Sequence, residues 1–238
     1  MKVLCLGDSL TFGSIGYSYT KFLKKKYKVI NKGINGDTTK CAYKRLQKYI
    51  NSQFYNDVDL YVIAIGTNDL LIPYLTTLST LWKMQMMSRV KLKKCIKNKT
   101  IFEIEYEKYI KLIIEHKKKL ILIGSPIIQL AYFPNEKIIE RNKIIKDLAK
   151  KYNLPFIDPT FLQSQFLNKN IYSYSWKNKN LVRIFDATIM FVLPFSKDWF
   201  SKIRDLELTV DGVHFNSLSA KLISKEIITS IEKSNFKN

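Results

Sequence analysis

A base, an acid to hold it and a nucleophile are few enough in this sequence to be traced one by one. Histidine occurs twice, as His116 and His214. His116 closes the charged amphipathic pattern Lys111 to Lys119 and reads as a solvated helix-end residue. His214 stands in Val210-Asp211-Gly212-Val213-His214-Phe215-Asn216, a loop with an acid three residues upstream and a helical pattern downstream. Asp211 can reach the imidazole within one turn and hold its tautomer, so His214 is a candidate general base.

The nucleophile that such a base would serve is Ser9. It lies in Gly7-Asp8-Ser9-Leu10-Thr11-Phe12-Gly13, directly after the apolar run Val3-Leu4-Cys5-Leu6. A short apolar run ended by glycine and a small polar cluster predicts a buried strand stopping in a tight loop. Ser9 then sits at a strand's carboxyl end, where open α/β sheets bind ligands. A helix starting just beyond it would aim free backbone N–H groups at the same place. A serine hydroxyl attacks nothing at neutral pH unless a base takes its proton.

Two more stretches repeat the pattern of strand into glycine-containing polar loop. Asn31-Lys32-Gly33-Ile34-Asn35-Gly36-Asp37-Thr38 follows Lys28-Val29-Ile30, and Gly66-Thr67-Asn68-Asp69 follows Leu60 to Ile65. Loops of this kind should open on one edge of one sheet. A glycine N–H and an asparagine amide are donors that an oxyanion hole uses.

These four segments, in this order, resemble the four blocks of the SGNH hydrolases, also called the GDSL esterase/lipase family. The resemblance implies a nucleophile at Ser9, a base at His214 and an orienting acid at Asp211. It implies oxyanion donors in the N–H of Ser9, the N–H of Gly36 and the side-chain amide of Asn68, with Gly33 as the alternative glycine. Phe215 departs from the proline that many members carry after the histidine, which touches loop shape rather than chemistry. The implied reaction is hydrolysis of a carboxylic ester through an acyl-enzyme, with no metal and no cofactor. The implied substrate is a small-molecule ester, with short acyl or O-acetyl groups favoured over a lysophospholipid or thioester. Asp8 and Ser125 are candidates to line the substrate pocket; the competing reading of Asp8, shared by Asp69, is a loop carboxylate that accepts backbone N–H bonds.

The elements that must position these residues follow from the alternation of strand, loop and helix, which predicts a parallel, doubly wound sheet with right-handed crossovers. With the resemblance, the expected fold is a flavodoxin-like three-layer α/β/α sandwich with five parallel strands. The continuously apolar run Asp59 to Ile65 should be central, and Lys119 to Gly124 and Pro155 to Ile157 should complete the sheet. Helices are expected over Tyr17 to Tyr27, after Thr38 as cap, over Ile101 to His116, over Asn135 to Tyr152 and over Leu218 to Ile231.

Two regions exceed that core, within what reads as a single domain over residues 1–238. From Leu70 to Lys99 runs one broad apolar helical face with a basic tail, expected to pack on the core, with a lid or acyl-binding wall as the sharper reading. From Phe161 to Leu208 aromatics accumulate, expected mainly to fill core. Within it, Leu181 to Leu193 fits strand or helix equally by pattern.

The charge of +20, from 40 basic and 20 acidic residues, raises the rival reading of a non-catalytic binder of nucleic acid or an anionic surface. Only five of the basic residues are arginine, the fork that phosphate and base readers favour, so nucleic acid is not expected and most lysines read as solvated surface. Membrane-surface contact ranks below core packing for the Met and Trp face of the first region. Cys5, Cys41 and Cys95 form neither a disulfide framework nor a metal-like spacing. With no basic segment leading into an apolar stretch at the amino terminus, a cytoplasmic location is expected.

Overall fold

The computed structural model describes residues 1–168, 172–177 and 179–234. Its apolar runs form β1 (Lys2–Gly7), β2 (Lys28–Gly33), β3 (Leu60–Ala64), β4 (Lys119–Ile123) and β5 (Phe156–Ile157), paired in parallel in the order β2-β1-β3-β4-β5. β3 is the middle strand, and the register sets Leu4 of β1 beside Ile30 and Tyr61. The helices are α1 (Ser9–Phe12), α2 (Tyr19–Leu23), α3 (Thr39–Ile50), α4 (Thr67–Leu78), α5 (Thr80–Leu92) and α6 (Lys99–Glu115). They continue as α7 (Asn135–Lys151), α8 (Pro159–Ser164), α9 (Asn180–Val192), α10 (Ser196–Ile203) and α11 (Ser217–Lys233).

Successive side chains of a strand point to opposite faces, so a strand buried on both sides reads as an unbroken apolar run. Val3, Cys5, Leu60, Val62, Ile121 and Ile123 join one core layer, under Tyr19 and Leu23 of α2 and Ile223 and Ile227 of α11. Leu4, Leu6, Tyr61, Ile63, Leu120 and Leu122 join the other, under Leu46 of α3, Phe102 and Tyr106 of α6 and Ile145 of α7. This is the three-layer α/β/α sandwich that the alternation and the resemblance predict.

The departures have local causes. The helix expected over Tyr17 to Tyr27 is only Tyr19–Leu23, entered at Ser18, whose hydroxyl accepts from the Thr20 N–H. Thr38 holds the cap position of α3, but its hydroxyl donates instead to the Lys93 carbonyl. The region from Leu70 to Lys99 is two helices rather than one face. Ser79 breaks it by taking an extended conformation and capping α5 through the Trp82 N–H. The ambiguous segment Leu181 to Leu193 lies almost wholly in the helix α9.

The aromatics of the second extra region also depart from expectation. Trp176 and Phe200 are buried, but Phe161, Phe185, Phe191, Phe195 and Trp199 are exposed. For Phe185 and Phe191 the reason lies in α9, which turns Arg183, Asp186 and Met190 toward the protein. That stripe, at helical spacing, leaves the apolar positions outside.

Candidate active site

β1, β2 and β3 end at the same sheet edge, and each runs directly into one of the polar loops. Ser9 opens α1, whose N-cap is Asp8, with the Asp8 carboxylate accepting the Leu10 N–H at 2.9 Å. The close approach of the loops depends on Gly33 at the end of β2. A Cβ there would lie 2.2 Å from the Phe12 nitrogen. The Gly33 N–H is already donated to Asn31 Oδ1 at 2.9 Å, whereas Gly36 sits further out in the loop with φ +70 and open space around it.

His214 reaches Ser9 across the whole length of the chain. Its Nε2 lies 3.0 Å from Ser9 Oγ, and its Nδ1 lies 2.9 Å from Asp211 Oδ2. The loop itself is held by Asp211 Oδ1, which accepts the backbone N–H groups of Val213 and His214 at 3.1 and 2.9 Å. A bridge between Thr209 and Phe215 and the Val210 N–H donated to the His214 carbonyl close it from both sides. Burial alone would raise the Asp211 pKa. The facing imidazole, the Arg183 guanidinium and the backbone N–H bonds outweigh it and hold the carboxyl well below the usual range.

Arg183 is one of three supports that sequence reasoning missed. Its Nη2 donates to Asp211 Oδ2 at 3.3 Å, and its guanidinium lies over the Trp176 ring, 3.0 Å from the centroid. Trp176 donates its indole N–H to the Asp211 carbonyl at 2.7 Å. Trp82 of α5 donates its own to the Trp176 carbonyl at 2.7 Å and stacks on the Trp176 ring. The second extra region therefore holds the backbone and carboxylate of the acid loop, and the first braces it from behind through Trp82. In the sequence these residues carried only an apolar or a basic signal.

Asn68 opens α4 beside Ser9. Its side-chain Nδ2 donates to the Asp37 carbonyl at 2.9 Å and to Asp8 Oδ2 at 3.2 Å. The Gly36-Asp37 turn is fixed by Arg45, which forks onto Asp37 Oδ2 at 2.8 and 2.6 Å. The same guanidinium reaches the carbonyls of Lys32 and Gly7, tying the ends of β1 and β2 together. Asp69 accepts from the Thr39 N–H and hydroxyl and from the Ile96 N–H, so it ties the start of α3 to the loop between α5 and α6, as the loop-carboxylate reading holds.

Two residues expected to line the pocket stand behind it instead. Asp8 is buried under Ser9, with its oxygens given to Leu10 and Asn68. Burial, reinforced by Asp37 and Asp69, pushes its pKa up to about 7. Ser125 is buried against Thr67, while its backbone exchanges two hydrogen bonds with the Asn142 side chain. A polar loop at the active edge supplies inward carboxylates and hydroxyls as readily as outward ones, and spacing does not tell them apart. His116 lies at the end of α6 with Nδ1 on the Leu112 carbonyl, remote from the other blocks, as expected. Among the described residues no group of three or more His, Cys, Asp and Glu could hold a metal ion.

A cleft of about 790 Å³ leads from these loops. Ser14 and Asn35, next to the Ser9 and Gly36 loops, line it together with Trp82, Met86 and Arg89 of α5 and Arg183, Ile184 and Phe191 of α9.

A five-stranded parallel sheet with these residues gathered at its carboxyl edge is the SGNH hydrolase fold. Residues 5–181 match the model of the GDSL-like lipase/acylhydrolase family, and the chain belongs to that family of carboxylic ester hydrolases. The match ends before the His214 loop, so the geometry alone brings that loop to Ser9. Solved structures of similar fold include a GDSL-like lipase from Bacteroides thetaiotaomicron, 20% identical, with TM-score 0.60, covering 98% of this chain and 88% of its own. An acetylxylan esterase from Geobacillus stearothermophilus, in a mutant form, is 19% identical with TM-score 0.60, covering 97% and 93%. The acetyl xylan esterase AlAXEase is 18% identical with TM-score 0.56, covering 97% and 100%. A comparison with curated protein sequences returns no match.

Proposed function

We propose that the chain is a serine esterase that hydrolyses short-chain acyl or O-acetyl esters through an acyl-enzyme. The observation that carries this reading is the relay from Ser9 Oγ through the His214 imidazole to Asp211, at 3.0 and 2.9 Å. His214 Nε2 takes the Ser9 proton as Oγ attacks the ester carbonyl, and returns it to the departing alcohol. Water, deprotonated by the same nitrogen, then attacks the acyl group on Ser9; the acyl–Oγ bond breaks as His214 returns the proton to Oγ, and the carboxylic acid leaves.

The developing oxyanion would take the N–H groups of Ser9 and Gly36 and one N–H of Asn68. The Asn68 donor is committed to Asp8 in the resting site, at the longer of its two bonds. That bond is the one to be shared or surrendered.

Short acyl groups are favoured by the open cleft, whose walls carry charged and polar groups among the apolar ones, and by the fold's likeness to acetylxylan esterases. A fluorophosphonate should add to Ser9 in a one-to-one adduct visible by mass. In a series of p-nitrophenyl esters, kcat/KM should be highest for acetate or butyrate. No adduct on a folded protein would refute the serine mechanism, and a maximum at long chains would refute the short-acyl assignment.

The geometry also makes Gly16 a sensitive position. An added Cβ would lie 2.5 Å from the Phe215 carbonyl and 2.8 Å from His214 Cβ. Lys197 of α10 prevents retreat, since its buried ammonium donates to the Gly16 carbonyl at 2.6 Å. Gly16→Ala should therefore move the base rather than unfold the chain. Since misplacement by about 1 Å can cost 10²-fold, the expected loss in kcat on p-nitrophenyl acetate is about 10- to 10²-fold, with the circular dichroism spectrum unchanged. Full activity would show that the His214 loop can adapt.

A further inference from the structure

α9 is built inside out. In α9 the two charged side chains, Arg183 and Asp186, face the protein, pairing with Asp211 and Arg204. Its solvent side carries Val182, Ile184, Phe185, Ile189, Phe191 and Val192. α10 is mixed: it buries Ser196, Lys197 and Ser201 along with Phe200, and leaves Trp199 and Ile203 outside beside Lys202. Phe185 is 69% exposed, Phe191 73%, Phe195 77% and Trp199 57%. An ordinary surface helix shows the opposite polarity, and a patch of this kind marks a contact.

The charge around it indicates what makes that contact. α5, which lines the cleft with α9, exposes Leu81, Met84, Met87 and Leu92 among Lys83, Arg89 and Lys91, with Lys94 exposed just past its end. No acidic residue occurs anywhere between Asp69 and Glu103. A second copy of the chain would bring a net charge of +20 against +20, which opposes self-association through this face. Large apolar and aromatic side chains interspersed with cations are the composition of a helix lying in a lipid interface, with ammonium groups at the level of the headgroups. Among the described residues no helix is long and apolar enough to cross a membrane, which fits contact from one side.

We infer that the α5–α9–α10 face docks on an anionic lipid surface, with Phe185, Val192, Phe195 and Trp199 entering the interface and the α5 cations meeting lipid phosphates. The cleft opens between α5 and α9. Docking would turn its mouth toward the lipid, although the binding itself does not depend on the reaction assigned to Ser9.

The test is vesicle cosedimentation of the full chain, with Trp fluorescence as second readout. Vesicles of phosphatidylcholine mixed with phosphatidylglycerol should bind it at least tenfold more tightly than pure phosphatidylcholine, on the order expected when several lysines face anionic lipid. Binding should weaken as ionic strength approaches 1 M, where the Debye length is about 3 Å. Trp82 and Trp176 are buried, so a blue shift on binding reports Trp199, and Trp199→Phe should remove it. The double variant Phe185→Ser/Phe195→Ser should bind more than about tenfold less while hydrolysing soluble p-nitrophenyl acetate as before. Equal binding to both vesicle types, or to neither, overturns the inference. So does a concentration-dependent dimer that the double substitution dissolves, since the face would then belong to a second copy.

Discussion

Ser9→Ala should reduce hydrolysis of p-nitrophenyl acetate by about 10⁴-fold or more, to the level left by donors and binding alone. The substitution removes only an oxygen. Ser9 Oγ has His214 Nε2 as its partner, while the cap of α1 is supplied by Asp8, so the loop keeps its anchors. Stability should therefore barely change, and the loss should appear entirely in turnover. Comparison of wild type and variant across pH 5 to 9 would separate the chemistry from background. The wild-type rate should exceed that of the variant throughout this range. Equal rates in both proteins would remove Ser9 as the nucleophile.

Asp211→Asn should be nearly as damaging, at about 10³- to 10⁴-fold in kcat, for a reason visible in its partners. Four donors converge on this carboxylate: the imidazole Nδ1, the Arg183 guanidinium and the N–H groups of Val213 and His214. An amide has one acceptor oxygen and brings two donors of its own. Whichever way it turns, its NH2 faces either Arg183 or two backbone N–H groups, and the tautomer that points a lone pair at Ser9 is no longer enforced. The substitution should also change stability against pH. The Asp211 pKa is depressed on folding, so its contribution is fully present above the unfolded value near 4 and is lost as pH falls below it. Thermal melts of wild type should drop on that acid limb more steeply than those of the variant. Parallel curves would show that the carboxylate is not held as its neighbours indicate.

Much of this was legible in the sequence because it rests on short-range chemistry. Strands buried on both faces must be apolar throughout, and β1, β3 and β4 could be read from that alone. Loops that follow such strands must gather at one edge, which is why the loops of Ser9, Gly36 and Asn68 could be placed together; His214 was marked by the acid three residues before it, and the resemblance to the SGNH hydrolases joined the four. Direction within a loop was not legible. Asp8 and Ser125 turn inward because Asn68 and Leu10 receive the one and Thr67 the other, and those partners are distant in sequence or silent in pattern. The polarity of α9 was hidden for a related reason. Arg183 and Asp186 find buried counter-charges in Asp211 and Arg204, and a rule that places charge outside has no means of seeing them. Four of the five arginines, Arg45, Arg141, Arg183 and Arg204, are committed in this way to carbonyls or carboxylates of the fold. This accounts for a strongly basic chain with little arginine to offer a nucleic acid.

The span from Ser9 to His214 sets the order in which the machinery comes into being during synthesis. The ribosome delivers the nucleophile first and all five strands by Ile157, so both core layers can begin to close around a sheet that has no base. Trp82 is in place early, but Trp176, Arg183 and the acid loop it supports arrive only afterwards, and α11, which seals the first core layer, comes last. A nascent chain thus carries Ser9 without its His214 partner until the loop that closes between Thr209 and Phe215 has been made, so the Ser9–His214 contact forms after the whole sheet is available.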